Sequence, residues 1–257
     1  MSRLAQKIKD QLVSVVRSTP LKTLPFEHLE INKVFPDGVY DNLDKNLPET
    51  RFYGEIRHKD AILPDGTSAR RKLELRPARL RRLPAQQREV LSAIASAFSS
   101  SEVEAAFRIA FRDSLNKRFG DPETVKFKPA VMLLRDLGGY KISVHTDTFR
   151  KAITTQYYLP SDDSQIHLGT SLHAGEGEEY SKFKTLDFLP NTGYAFPVSP
   201  ESWHSVQKMD SSDRPRNSLM VIYYVHQGML GEFINALKQL AQDLVALFSC
   251  PKGEHKS

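Results

Sequence analysis

Two histidines and an aspartate in the second half of the sequence have the types and spacing of metal ligands. His145 and Asp147 lie two positions apart in the segment VHTD. Because side chains two positions apart in a β-strand point to the same face, both could reach one ion. His204 follows 57 residues after Asp147, beyond a predicted strand and a proline-containing turn. Two imidazoles and a carboxylate suit iron(II), and this ligand set leaves coordination positions open for other ligands.

A second pattern, Arg-x-Ser, lies at the start of the last predicted strand. Arg216 follows His204 by 12 residues and Ser218 comes two positions later. A guanidinium and a hydroxyl on one strand face could bind a carboxylate, the arginine through two hydrogen bonds. Arg214 is an alternative, but Pro215 places it in the preceding turn. We therefore predict that Arg216 and Ser218 bind a carboxylate.

The order of these motifs, His-x-Asp, a distal His and then Arg-x-Ser, resembles the 2-oxoglutarate/iron(II) dioxygenase superfamily. It looks closest to the prolyl-4-hydroxylase-like branch, in which a tyrosine often lies near the co-substrate at the position of Tyr140. The similarity spans roughly residues 24–226 and includes the segments 25–29, 34–37, 152–159 and 169–170. The resemblance implies catalytic iron ligands and co-substrate ligands. The iron ligands would be His145, Asp147 and His204, and the 2-oxoglutarate ligands would be Arg216, Ser218 and Tyr140.

The same resemblance implies a reaction. Iron(II), 2-oxoglutarate and O2 would be the cofactors, with ascorbate as a reductant in vitro, and the products would be succinate, CO2 and a hydroxylated substrate. The halogenases of this superfamily lack the carboxylate ligand, so the presence of Asp147 argues against halogenation. Gln156 shares a predicted strand face with Thr154 and Tyr158. Whether Gln156 contacts a ligand or only fills the core stays open, as does the role of Tyr140.

The elements that would position these residues predict an α+β fold. Helices are predicted over 4–17, 36–46 and 85–98, and another begins at Ser101 with a Ser-x-x-Glu capping pattern and ends at Gly120. Short strands separated by turns fill 126–225, which predicts a double-stranded β-helix, or jelly roll. An apolar stripe predicts a C-terminal helix over 229–248. We expect a single domain over 1–257, with helical support and loops in 1–120, the catalytic core in 121–226 and a helix with a tail in 227–257.

Composition limits the compartment and the partners. The chain has 257 residues, one cysteine (Cys250), and no apolar run long enough to cross a bilayer or act as a signal peptide, so we expect a cytoplasmic protein. The net charge is +5, and the run 70–82 holds seven basic residues and one acid. That run is either a solvated surface loop or a patch for an anionic substrate. Nothing in it resembles a nucleic-acid-binding module, and a homodimer stays open.

Three functional interpretations follow from these patterns. The first is an oxygenase that hydroxylates a small or conjugated metabolite, for which an anionic group is one option. The second is a cupin-type metal enzyme that does not use 2-oxoglutarate, although cupins usually contribute more histidines and have no need of Arg-x-Ser. The third is a non-catalytic jelly-roll protein that binds a ligand. Substrate-facing loops are expected in 49–84, 148–152 and 161–182.

Overall fold

A computed structural model describes residues 1–176 and 179–226 of the chain. The α-helices are α1 Arg3–Ser18, α2 Val39–Lys45, α3 Pro77–Leu80, α4 Ala85–Phe98, α5 Ser101–Ala110 and α6 Arg112–Phe119. The strands are β1 Leu29–Asn32, β2 Gly54–Glu55, β3 Arg70–Glu74, β4 Phe127–Asp136, β5 Ile142–His145, β6 Lys151–Tyr158, β7 Ser171–Glu176, β8 Glu179–Thr185, β9 Thr192–Pro197, β10 His204–Val206 and β11 Arg216–Val225. The helix predicted over 229–248 lies outside the described residues.

The strands form two antiparallel sheets. The larger sheet has seven strands in the order β1-β9-β6-β11-β4-β3-β2, and the smaller has four in the order β5-β10-β7-β8. Strands that are distant in the chain lie side by side, as where β6 pairs with both β9 and β11. This crossing pattern, with helices alongside, confirms the predicted α+β double-stranded β-helix.

Alternating side chains give the seven-stranded sheet two different faces. On β4, Val131 and Leu133 belong to the main apolar core together with residues of α1, α4 and α5. Met132 and Leu134, their chain neighbours, form a separate apolar cluster with Ile222 of β11. Because successive strand residues point to opposite faces, the helices cover one face and the other face looks toward the four-stranded sheet.

The helix predicted over 85–98 is present, whereas the one predicted to begin at Ser101 differs in its start and in its continuity. The helix predicted over 85–98 is α4, and Gly120, with a positive φ of 76°, ends α6. The helix predicted to start at Ser101 is instead capped one residue earlier, because Ser100 Oγ accepts a hydrogen bond from the Val103 amide. It is also divided at Phe111 into α5 and α6, where this buried ring packs against Phe107 of the preceding turn.

The basic run 70–82 is not a loop. Its first part is the strand β3, which pairs with β4 and with β2, and its second part contains the short helix α3. Leu73 of β3 is buried in the main core, whereas Arg70 and Lys72 face the opposite side of the sheet. The first 120 residues therefore supply three sheet strands as well as the helical support predicted for them. Among the described residues, none of the helices has the length and hydropathy that a bilayer crossing requires.

A cluster of charged side chains connects β1, an edge strand of the larger sheet, with β8, an edge strand of the smaller one. Glu30 of β1 lies 2.7 Å from the Lys184 ammonium of β8 and 2.8 Å from that of Lys22. The pKa of Glu30 lies well below its usual value, mainly because of the hydrogen bond from His28. Lys184 and Lys22 lower this pKa further, and together these effects outweigh burial, which would raise it. Glu30 therefore stays ionised over the neutral and mildly acidic range and stabilises the native sheets there.

Candidate metal centre

The predicted metal ligands come together where the four-stranded sheet faces the larger one. His145 ends β5 and His204 begins β10, and these two residues are direct partners in the antiparallel pairing. Asp147 follows two residues after the end of β5. One side-chain ligand atom from each of the three residues lies within 4.8 Å of the others. This separation is short enough for all three residues to coordinate one ion.

Backbone carbonyls set the orientation of both imidazole rings. The Nδ1 of His145 donates to the carbonyl oxygen of Ser143 at 2.9 Å, and the Nδ1 of His204 donates to that of Ser202 at 2.9 Å. With Nδ1 carrying the proton, the Nε2 lone pair of each ring is available to a metal. The Phe196 ring packs against His204, with ring centroids 5.0 Å apart, and limits its rotation.

The Asp147 carboxylate is held by two neighbours from β6. Thr154 donates its hydroxyl to Oδ2 at 2.6 Å, and the Lys151 ammonium donates to Oδ1. Threonine has no charge to compete with a cation, whereas lysine does. Oδ1 is therefore the oxygen that would be released to a metal, while the bond from Thr154 keeps the carboxylate in place.

The protonation states fit a cation site. Burial, followed by the neighbouring His145, lowers the pKa of His204 to about 4. Burial also lowers the pKa of His145. For Asp147, burial alone would raise the pKa, but the charges of His204 and Lys151 and the hydrogen bonds from Lys151 and Thr154 outweigh it and give a pKa of about 2. At neutral pH both imidazoles are neutral and the carboxylate is ionised, which is the state that binds a divalent metal.

The three residues line a cavity of about 570 Å³ between the sheets. Its apolar wall is formed by alternate residues of β4 and β11, namely Met132, Leu134, Met220, Ile222 and Tyr224. Its rim carries charged residues of both signs, among them Glu55, Arg57 and Lys72. Sites of this size hold small molecules, with an apolar body against such a wall and polar groups at fixed points.

The Arg-x-Ser pair lies beneath the cavity and is connected to it by other side chains. The guanidinium of Arg216 is fully buried and donates to Thr170 Oγ1 at 3.3 Å. Thr170 donates to the Tyr194 hydroxyl at 3.1 Å, and this hydroxyl donates to Gln156 Oε1 at 2.7 Å. Gln156 in turn donates to Ser218 Oγ at 2.7 Å. Thr170, Tyr194 and Gln156 line the cavity.

Gln156, left open from the sequence, therefore belongs to the cavity wall. Thr154 also lines the cavity, whereas Tyr158, on the same strand face, is buried in the apolar cluster between the sheets. Thr170 and Tyr194 were not singled out from the sequence as cavity residues. Tyr194 precedes Ala195 in a predicted strand, so the two side chains point to opposite faces, and Ala195 lies in the main core whereas Tyr194 lies in the cluster between the sheets.

Tyr140 lines the cavity and contacts an arginine that was not singled out from the sequence. Its buried hydroxyl accepts a hydrogen bond from Nη1 of Arg70, and burial raises its pKa so that the hydroxyl stays protonated. Arg70 was counted only as part of the basic run. The alternation of Arg71, Leu73 and Leu75 with Arg70, Lys72 and Glu74 would have indicated a strand with one polar face.

Two other histidines do not join the metal group. His173 Nε2 lies 2.8 Å from the Ser205 hydroxyl, and His167 is paired with Asp213 at 3.3 Å. Within residues 1–176 and 179–226, the only group with metal-ligand geometry is the one formed by His145, Asp147 and His204.

Comparison with known proteins gives the fold and no closer relative. No protein-family model matches the sequence, and no curated protein matches it. Among solved structures, the chain is similar to the dioxygenase for auxin oxidation 1 from Arabidopsis thaliana, in its complex with 2-oxoglutarate, with 14% identity, a TM-score of 0.53, and coverage of 88% of this chain and 89% of that one. It is also similar to a prolyl hydroxylase from Trichoplax adhaerens, in complex with a hypoxia-inducible-factor peptide fragment, with 14% identity, a TM-score of 0.51, and coverage of 86% and 90%. The predicted resemblance to the 2-oxoglutarate/iron(II) dioxygenase superfamily is thus confirmed at the level of the fold.

Proposed function

We propose that this chain is an iron(II)- and 2-oxoglutarate-dependent oxygenase that hydroxylates a small molecule. The observation that carries the proposal is the convergence of two neutral imidazoles and one carboxylate on a cavity of this fold. His145, Asp147 and His204 would hold the iron, which with 2-oxoglutarate and O2 supplies the oxidising chemistry. A cupin-type site would use more histidines, and none joins this group among the described residues.

The residues around the iron ligands would orient them and shield the site. The carbonyls of Ser143 and Ser202 fix the two rings, and Thr154 fixes the carboxylate. Lys151 would have to leave Asp147 Oδ1 when metal binds, because one oxygen cannot satisfy both at full strength. The wall of β4 and β11 would exclude water from the reacting C–H bond.

The co-substrate and the substrate would occupy different ends of the cavity. The end near Tyr140, where Arg70 lies beside the buried pair Asp136 and Arg216, is polar and suits 2-oxoglutarate. The end near Met132, Met220 and Ile222 is apolar and suits the part of the substrate that is oxidised. An anionic group on the substrate would meet Arg57 and Lys72 at the rim, next to the carboxylate of Glu55.

The experiment is a comparison of wild type with His204→Ala and, as the matched control, His167→Ala. Succinate formation from 2-oxoglutarate is measured with iron(II), ascorbate and air, and metal binding is followed separately. Trp203, the only tryptophan of the chain, is the chain neighbour of His204 and reports metal binding by fluorescence quenching. We expect His204→Ala to lose both signals and His167→Ala to keep both. If wild type neither quenches with iron(II) nor binds 2-oxoglutarate, the proposal is wrong.

A further inference from the structure

One carboxylate lies between two arginines at the polar end of the cavity. Arg70 of β3, Asp136 of β4 and Arg216 of β11 are partners in the strand register. Asp136 Oδ1 lies 3.2 Å from Arg70 Nε, and Oδ2 lies 2.9 Å from Arg216 Nη1. Asp136 and Arg216 are fully buried. The three groups carry a net charge of +1, and a buried excess charge is costly unless an anion compensates it.

The two arginines differ in what they can reach. Arg216 is enclosed, with Nε bonded to the Leu168 carbonyl at 2.6 Å and its terminal nitrogens bonded to Asp136 and Thr170. The side chain of Arg70 is 14% exposed and lines the cavity that contains the candidate metal ligands. An anion in the cavity would therefore meet Arg70, while Arg216 is screened from it by its own partners.

Tyr140 adds a second donor at the same place. Its hydroxyl accepts a hydrogen bond from Arg70, so its own proton remains to be donated to a ligand. Its ring also lies 4.9 Å from the Arg70 guanidinium carbon, which fixes the position of the arginine. A planar guanidinium with a hydroxyl donor beside it is a typical receptor for a carboxylate.

We propose that Arg70 and Tyr140 bind the distal carboxylate of the 2-oxo acid co-substrate, and that Arg216 acts on it only through Asp136. The proposal rests on the proposed function and changes the sequence-based assignment, in which Arg216 makes the direct contact. The dicarboxylate would extend from the metal ligands to Arg70, and its second negative charge would neutralise the Arg70–Asp136–Arg216 cluster. Arg70 thereby becomes the residue that selects a dicarboxylic 2-oxo acid over a monocarboxylic one.

The test measures binding of two co-substrates to manganese-loaded protein by calorimetry, without turnover. 2-Oxoglutarate has the distal carboxylate, and 2-oxobutyrate lacks it. Arg70→Gln is compared with Arg71→Gln, a neighbouring arginine on the other face of β3 whose side chain pairs with Glu55. We expect Arg70→Gln to raise the Kd of 2-oxoglutarate by about 10- to 100-fold, as for loss of a charged hydrogen bond. The Kd of 2-oxobutyrate, and both Kd values of Arg71→Gln, should stay within about threefold of wild type.

A second variant keeps the proposal open to refutation if Arg70→Gln does not fold. Tyr140→Phe retains the ring and removes only the hydroxyl. It should raise the Kd of 2-oxoglutarate by about fivefold and leave the Kd of 2-oxobutyrate unchanged. An equal loss of affinity for both acids in Arg70→Gln would mean that Arg70 acts at the end of the co-substrate that binds the metal, and this would overturn the proposal. Unchanged binding of both acids in Arg70→Gln would place Arg70 outside the co-substrate subsite and also overturn the proposal. If wild type binds neither acid, the proposed function itself fails, which is a different result.

Discussion

Thr154→Val should weaken metal binding at the candidate centre although Thr154 is not a ligand. Valine has the shape of threonine, so the change removes the 2.6 Å hydrogen bond to Asp147 Oδ2 and leaves the packing of β6 nearly intact. A hydrogen bond to a charged group contributes about 1.5 to 3 kcal/mol. Since about 1.4 kcal/mol is a factor of ten in affinity, we expect the Kd for iron(II) to rise about 10- to 100-fold, in the range usual for partners of metal ligands.

The neighbouring threonine provides the control. Thr155 lies on the opposite face of β6, where its hydroxyl donates to the Val221 carbonyl at 3.1 Å in the main core. Thr155→Val also removes a buried hydrogen bond and should lower the free energy of unfolding by about 1 kcal/mol. Because that hydroxyl is remote from the metal ligands, its loss should leave the Kd for iron(II) unchanged.

The assay is an anaerobic titration with iron(II), followed by the fluorescence of Trp203, with thermal unfolding measured in parallel. A Thr154→Val protein that unfolds like wild type and binds iron(II) within twofold of the wild-type Kd would refute the idea that Thr154 holds the carboxylate. An equal loss in Thr155→Val would show that any disturbance of β6 weakens the site, and the specific role of the hydroxyl would then be rejected.

Three further predictions concern charge, pH and packing. Lys151→Met removes the cation that competes for Asp147 Oδ1 and should lower the Kd for iron(II) by about tenfold, whereas Thr154→Val should raise it. A higher Kd for Lys151→Met in the same titration would contradict this prediction. The pKa of Glu30 is lowered in the native state, so its stabilising effect is complete above its ordinary pKa of 4.5 and is lost as the pH falls below 4.5. The Tm difference between wild type and Glu30→Gln should therefore shrink between pH 6 and about 3. A constant Tm difference would count against the stabilising role of the charge cluster. A Cβ at Gly169 would lie 1.4 Å from the Leu186 carbonyl oxygen, so Gly169→Ala should lower Tm by about 5 °C or more. Gly54→Ala is the control, because the nearest heavy atom to a Cβ there lies 4.0 Å away, and its Tm should stay that of wild type.

The sequence predicted the parts of the site that depend on local pattern. His145 and Asp147 are two positions apart, so their common direction follows from strand geometry alone. His204 was predicted as the third ligand from the order of the motifs, and in the structure it is the partner of His145 in the pairing of β10 with β5. Alternation of apolar and polar residues likewise predicted the strands of 126–225 and hence the jelly roll.

What the sequence did not show depends on register between distant strands. Arg70 and Arg216 meet Asp136 because β3 and β11 both pair with β4 at one position, and no local pattern fixes that alignment. High charge density in the run 70–82 favoured a loop, whereas tertiary pairing made it a strand. The predicted helix is broken at Phe111, whose ring is buried in the main core, and no sequence pattern indicated that break.

If His145 and His204 bind a metal as proposed, their pairing would also link metal availability to the folding equilibrium. The two rings meet only when β5 and β10 are aligned across 58 residues of intervening chain, so the unfolded polypeptide does not present them together. A metal that binds the native state alone stabilises it by mass action, by about 2.7 kcal/mol at a free concentration of 100 times Kd. Metal supply would then set the fraction of chains that survive proteolysis, and a shortage would lower the amount of this protein as well as its occupancy.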